Sequence, residues 1–169
     1  MSKADNPVLV GILMGSESDL DRMRGVWEVL GEFYIGYEVK ILSAHRTPDL
    51  TIQYAIEAEK RGLRVLIAGA GLAAHLAGTV AAHTVLPVIG IPLATSSLGG
   101  LDSLLSTVQM PPGVPVAAVA INGSRNAGIL AVEILAAHDT GLRDRLRQYR
   151  QRTVEKIQAV NDNLNLGPA

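Results

Sequence analysis

Val8-Leu9-Val10-Gly11-Ile12-Leu13-Met14-Gly15-Ser16-Glu17-Ser18-Asp19 sets an unbroken apolar run of strand length directly ahead of a loop of glycine, hydroxyls and carboxylates. A run that is apolar on both faces suits a strand covered on both sides, as in a parallel sheet. Helical patterning over residues 19–33 then supplies the crossover that parallel neighbours require.

The same unit recurs along the chain. Residues 37–42 read as a second strand, followed by the loop Ser43-Ala44-His45-Arg46-Thr47-Pro48 and a helix over 48–61. Thr47-Pro48-Asp49 is a good helix start, with a hydroxyl cap, proline at the first helical position and an acid in the first turn. Residues 65–68 form a third strand, the loop Ala68-Gly69-Ala70-Gly71 runs on to His75, and an alanine-rich helix covers 73–84. Strands over 87–91 and 115–121 and a helix over 126–137 complete the series. This alternation predicts one α/β catalytic domain, 1–169: a doubly wound parallel sheet in a flavodoxin-like three-layer sandwich, without repeat, linker or second domain.

The tail differs in kind. Leu142, Leu146, Tyr149, Thr153, Ile157, Val160 and Leu164 alternate spacings of four and three, with arginines 143, 145, 147, 150 and 152 between them. This is the narrow apolar seam of one long C-terminal helix, 140–165, expected to pack on a neighbouring subunit.

Composition narrows the function. A net charge of −1 gives no electrostatic case for nucleic acid or an anionic membrane. No cysteine is present, so disulfides, thiolate nucleophiles and cysteine-based metal sites are excluded. Met1-Ser2-Lys3-Ala4-Asp5-Asn6-Pro7 is too short and polar for a signal peptide, so the expected location is the cytoplasm. Between residues 65 and 124 the only charged side chain is Asp102, where about a quarter of positions would normally be charged. Glycine, proline and serine interrupt that segment too often for a membrane span. Subunit contacts are the better explanation for so much uncharged surface.

In an open parallel sheet the loops after the strands gather at the strands' carboxyl ends, where ligands bind. The first loop offers backbone N–H groups, a helix start and the hydroxyls of Ser16 and Ser18, a plausible phosphate or sugar cradle; Ser16-x-x-Asp19 also fits a capping box. It matches neither the Walker pattern nor Gly-x-Gly-x-x-Gly. In the second loop Arg46 suits phosphate through its planar fork of donors, and His45 suits proton transfer. A surface arginine beside a capping histidine is the alternative, weakened by the position opposite the first loop. The third loop lets backbone approach a ligand at Gly69 and Gly71, with His75 in the first turn of a helix. His83 and His138 read as structural, and no histidine spacing resembles a metal ligand set.

At these residues a family emerges. Met14-Gly15-Ser16-x-Ser18-Asp19, Ser43-Ala44-His45-Arg46-Thr47-Pro48, Ala68-Gly69-Ala70-Gly71-x-Ala73-Ala74-His75-Leu76 and Asp102-Ser103-Leu104-Leu105-Ser106-x-Val108-Gln109-Met110-Pro111-x-Gly113-x-Pro115-Val116 closely resemble 5-(carboxyamino)imidazole ribonucleotide mutases of the PurE type. The similarity runs from about residue 8 to 146. It implies an isomerase of de novo purine (IMP) biosynthesis that moves a carboxylate from nitrogen to ring carbon, with no metal, ATP or organic cofactor. It implies that Ser16, Ser18 and Asp19 hold the ribose phosphate, that Ser43 and Arg46 complete the phosphate site, and that His45 sits over the reacting ring. The glycine-rich loop, Gly71 included, would enclose the migrating carboxyl group together with His75, in a homo-octamer with active sites near subunit contacts.

This chain departs from the family's usual Gly-Gly-Ala-Ala-His-Leu-Pro-Gly-Met at Leu72, Ala77 and Thr79, and its segment 122–125 is shorter by about two residues. The branch that carboxylates aminoimidazole ribonucleotide directly normally has Ser-Ala-His-Lys and lacks the histidine matching His75, so Ser43-Ala44-His45-Arg46 with His75 favours the mutase. Direct carboxylation and a non-catalytic nucleotide-binding protein are the alternatives. A related carboxylase of a pyridine mononucleotide uses a cysteine, which this chain lacks.

Overall fold

The computed structural model describes residues 7–164 and Gly167. The N-terminal stretch read as too polar for a signal peptide lies, apart from Pro7, outside the described residues, as does residue 165 at the expected end of the last helix. The strands are β1 (Val8–Met14), β2 (Gly36–Ile41), β3 (Val65–Gly71), β4 (Val88–Leu93) and β5 (Ala117–Ala118). The α-helices are α1 (Leu20–Glu32), α2 (Pro48–Ala58), α3 (Leu76–Ala81), α4 (Leu101–Val108), α5 (Ser124–Ala136) and α6 (Thr140–Asp162).

All strand pairs are parallel and their order is β2-β1-β3-β4-β5. This is the doubly wound, flavodoxin-like arrangement that the alternation predicts, with its switch point between β1 and β3. Alternation along the strands splits the core into two layers. Val10, Ile12, Met14, Val65, Ile67, Ile89 and Ile91 pack with Met23, Val26, Val29 and Leu30 of α1 and Ala127, Ala131 and Val132 of α5. Leu13, Leu66, Ala68 and Val88 face the other way, onto Tyr54 and Ala55 of α2 and Leu76, Ala77 and Val80 in α3. Each fully buried branched side chain contributes roughly 1.5–3 kcal/mol. The sheet is therefore held from both faces, and its loops are left free to bind.

Several expected boundaries move, each for a physical reason. Strand β3 runs on through Gly69, Ala70 and Gly71, which pair with Ile91, Pro92 and Leu93. These glycines serve the strand rather than a loop: a Cβ on Gly69 would overlap the Met23 sulfur, and one on Gly71 the Thr95 hydroxyl. The helix expected over 73–84 shrinks to α3, and His75 stands at its N-cap rather than in its first turn. Helix α2 stops before residue 61 because Gly62, at φ 92°, turns the chain so that the Leu63 N–H returns to the Ala58 carbonyl. The strand expected over 115–121 is reduced to two residues beside Pro115, which has no N–H to donate. Helix α4 was not expected, although Leu101, Leu104, Leu105 and Val108 carry its period.

Helix α6 is anchored by its first half. Leu142 and Leu146 are buried in the chain's own core, and Tyr149 meets Phe33 with ring centroids 5.5 Å apart. Its outer half, with Val154, Ile157, Val160 and then Leu164, is exposed on the protomer. No helix among the described residues is long and apolar enough to cross a membrane.

Candidate active site

The loops after β1, β2 and β3 meet in a cleft of about 570 Å³ at the carboxyl end of the sheet. Ser16, Ser18, Asp19, Ser43, His45, Arg46, Gly71 and His75 all line it. His83 does not; its Nδ1 lies 2.8 Å from the Thr79 carbonyl. No group of His, Cys, Asp or Glu among the described residues could hold a metal ion.

The first loop folds on its own hydroxyls. Ser18 Oγ donates to Ser16 Oγ at 2.9 Å, and the Ser18 N–H reaches the same oxygen at 3.3 Å, opening the short 3-10 turn Glu17–Asp19. Ser16 is the N-cap of this turn, and the Asp19 backbone N–H donates to the Ser16 carbonyl at 3.2 Å, so the capping role that the sequence also allowed is present in part. The Asp19 side chain is buried. Burial pushes its pKa up, against the opposing pull of Arg22, the Ser16 N–H and Arg46.

The second loop is closed by Thr47, whose hydroxyl does not cap α2 as expected. Its Oγ1 accepts the Ser43 N–H at 2.9 Å and donates to the Ser43 carbonyl at 3.1 Å. Ser43 Oγ in turn accepts the Arg46 N–H at 3.2 Å. These bonds lock the five-residue turn that presents His45 and Arg46. The Arg46 guanidinium crosses to the first loop and donates to the Gly15 carbonyl. Its fork has further N–H groups available for an anion.

The third segment brings His75 to His45: His45 Nε2 and His75 Nδ1 are 2.8 Å apart, and the rings meet edge to face with centroids at 4.9 Å. A hydrogen bond at that distance needs one ring nitrogen as donor and the other as acceptor. One ring donates the hydrogen between these two nitrogens and the other accepts it. The hydroxyls of Ser16, Ser18 and Ser43, the Arg46 guanidinium and the hydrogen-bonded imidazole pair in one cleft suit a phosphorylated substrate that undergoes proton transfer.

The cleft also contains Thr95, which lies outside the loops and motifs singled out in the sequence. The signal for Thr95 was present: Ala94-Thr95-Ser96-Ser97 is a hydroxyl-bearing stretch directly after β4, and so lies at the same sheet end as the other three loops.

Comparison with known proteins agrees with this geometry. A family model described as AIR carboxylase matches residues 9–156. An N5-carboxyaminoimidazole ribonucleotide mutase of Synechocystis sp. is 58% identical, over 85% of this chain and 81% of its own length. A phosphoribosylaminoimidazole carboxylase of Schizosaccharomyces pombe is 54% identical over 95% of this chain but only 29% of its own. The crystal structure of PurE from Treponema denticola superposes with a TM-score of 0.84 at 31% identity, covering 93% of this chain and 98% of that one. With the fold, the cleft and the match over most of its length in agreement, the chain belongs to the AIR carboxylase family.

Proposed function

We propose that the protein is a mutase of purine biosynthesis that converts 5-(carboxyamino)imidazole ribonucleotide to 4-carboxy-5-aminoimidazole ribonucleotide. The observation that carries this reading is the His45–His75 pair, 2.8 Å apart, in the same cleft as the Ser16, Ser18, Ser43 and Arg46 donors. The mutase name of relatives such as the Synechocystis protein supports it.

In this mechanism Ser16, Ser18 and Asp19 hold the ribose and its phosphate, with Ser43 and Arg46 completing the phosphate site. His45, protonated, donates a proton to the carbamate nitrogen as the nitrogen–carbon bond breaks, releasing carbon dioxide. Ring carbon 4, made nucleophilic by the exocyclic amine, forms a bond to that carbon dioxide, and His45 takes the ring proton. The acid of the first half-reaction is thus regenerated in the second. His75 holds the second nitrogen of the proton-sharing pair, and the backbone at Gly71 encloses the carboxyl group. Retaining carbon dioxide beside the ring replaces a bimolecular encounter with a pre-positioned one.

The resemblance also supports a homo-octamer working in the cytoplasm. Leu101, Leu105 and Val108 leave an apolar stripe exposed along α4 with Leu98 just ahead of it, a further one follows the outer half of α6, and Asp102 Oδ1 is buried with no hydrogen-bond partner among the described residues. Each is satisfied by contact with further copies.

Direct carboxylation is the alternative, represented by the relative that bears the carboxylase name. Incubating the pure protein with the carbamate substrate, and separately with aminoimidazole ribonucleotide plus bicarbonate, distinguishes the two. The mutase reading expects rapid product from the first mixture and little from the second. The opposite result overturns it, and turnover of neither leaves a nucleotide-binding protein.

A further inference from the structure

Leu72 is held in a backbone conformation that leucine rarely adopts. Its φ is 55°, in the left-handed region where a β-carbon is crowded and glycine is free. The neighbours prevent relaxation. Gly71 is pinned in β3 against Thr95, and the Ala73 carbonyl accepts the His75 N–H at 2.9 Å in the turn that follows. Among the described residues the other non-glycine positions with positive φ are Tyr34 and Asn122. Asn122 has a local role, since its side-chain oxygen accepts the Ala94 N–H at 3.0 Å.

The leucine is also poorly covered. It lines the same cleft as His45 and His75, and 57% of its surface is exposed on the protomer. An apolar side chain that is both strained and exposed is disfavoured twice in the free protein. Strain of this kind concentrates where the surrounding structure serves function.

We propose that Leu72 is the water-excluding wall over the migrating carboxyl group, retaining carbon dioxide between the two half-reactions. The proposal rests on the mutase reading. Carbon dioxide is uncharged and apolar, while the cleft also presents hydroxyls, a carboxylate, a guanidinium and imidazoles, and Leu72 is its exposed large apolar side chain. Water entering that space competes for the position beside ring carbon 4 and lets carbon dioxide escape, leaving aminoimidazole ribonucleotide. A leucine side chain in the cleft lining gives that space an apolar wall.

The test follows label through turnover. The full-length protein and its Leu72→Gly, Leu72→Ala and Leu72→Met variants are given carbamate substrate labelled in the carboxyl carbon, in excess unlabelled bicarbonate, and the label in the product is counted. The wild type is expected to retain most of its label. Leu72→Gly is expected to lose about five-fold more label and release aminoimidazole ribonucleotide, with KM changed by less than about two-fold, because the wall acts on the intermediate rather than on substrate binding. Leu72→Ala should fall between, and Leu72→Met, of similar volume, should retain label like the wild type. Glycine suits a positive φ, so that variant should melt no lower than the wild type. Equal retention by wild type and Leu72→Gly, both turning over, overturns this proposal alone; complete exchange of label by the wild type overturns it as well. A wild type that makes no product from the carbamate overturns the mutase reading, and this proposal with it.

Discussion

His45 and His75, thirty residues apart in the chain, share one hydrogen bond: Nε2 of the first lies 2.8 Å from Nδ1 of the second. His45 comes from the turn stapled by Thr47, and His75 from the start of α3, so the bond joins two separately positioned elements. The proposed proton carrier thus has its ring held from outside its own loop.

Replacing the carrier should abolish chemistry without abolishing binding. His45→Asn is expected to lower kcat by about 10²–10⁴-fold, the usual contribution of a general acid/base, with KM close to that of the wild type. Steady-state kinetics on the carbamate substrate check this. Near-normal turnover would remove His45 from the acid/base role.

Groups that act as one unit are not additive when removed. His75→Asn should slow turnover, and adding it to His45→Asn should cost little more than His45→Asn alone. A double-mutant cycle on kcat measures the coupling. Fully additive losses would mean that the two imidazoles work independently.

Arg46 joins the Gly15 carbonyl and Ser43 Oγ while keeping donors for an anion. Arg46→Ala should weaken substrate binding by roughly 1.5–3 kcal/mol, the value of a lost charged hydrogen bond. Calorimetric titration with substrate ribonucleotide, and with inorganic phosphate, reads this directly. Unchanged affinity for both would place the phosphate elsewhere.

The buried Asp19 carboxylate weakens the fold at neutral pH. Its folded pKa lies above the ordinary 3.8, chiefly through burial, so folding favours the protonated carboxyl. The stabilising contribution of that form is complete below the unfolded value, about 3.9, and is lost as pH rises through the raised folded value. At neutral pH the buried charge therefore costs stability. Asp19→Asn should melt at or above the wild-type temperature at pH 7, with the advantage vanishing in acid, while substrate affinity falls. Melting curves across pH, paired with titrations, test both halves; a variant less stable at pH 7 than at pH 4, relative to wild type, contradicts the sign.

The two halves of α6 should separate on truncation. Ending the chain after Thr140 removes Leu142 and Leu146 from the core, and losses of this type cost about 2–5 kcal/mol per large side chain. That product should be aggregation-prone. Ending it after Arg152 keeps both leucines and Tyr149 but removes the exposed Ile157, Val160 and Leu164, so the chain should fold yet form smaller species. Native mass spectrometry checks the sizes; a full-size, fully active assembly after the second cut would show that the outer seam takes no part in assembly.

What the residues alone determined is what local periodicity and loop chemistry can encode. Residues 8–14 read as a buried strand, and the repeated strand, loop and helix place Ser16, His45, Arg46 and His75 at one end of a parallel sheet from local pattern alone. Tertiary structure decided whatever depends on a neighbour distant in sequence. Gly69 and Gly71 read as a loop because glycine lacks a side chain; they are strand because they pair with Ile91 and Leu93, and they are glycine because Met23 and Thr95 occupy the space a side chain would take. Thr47 read as a helix cap, but its hydroxyl found the backbone of Ser43 instead. The seam of α6 looked uniform in the sequence, yet only its first half meets the chain's own core, because helical periodicity marks which face is apolar and not what covers it. The contact between His45 and His75, and the hold of Arg46 on Gly15, come from the packing that brings separate loops to one crevice.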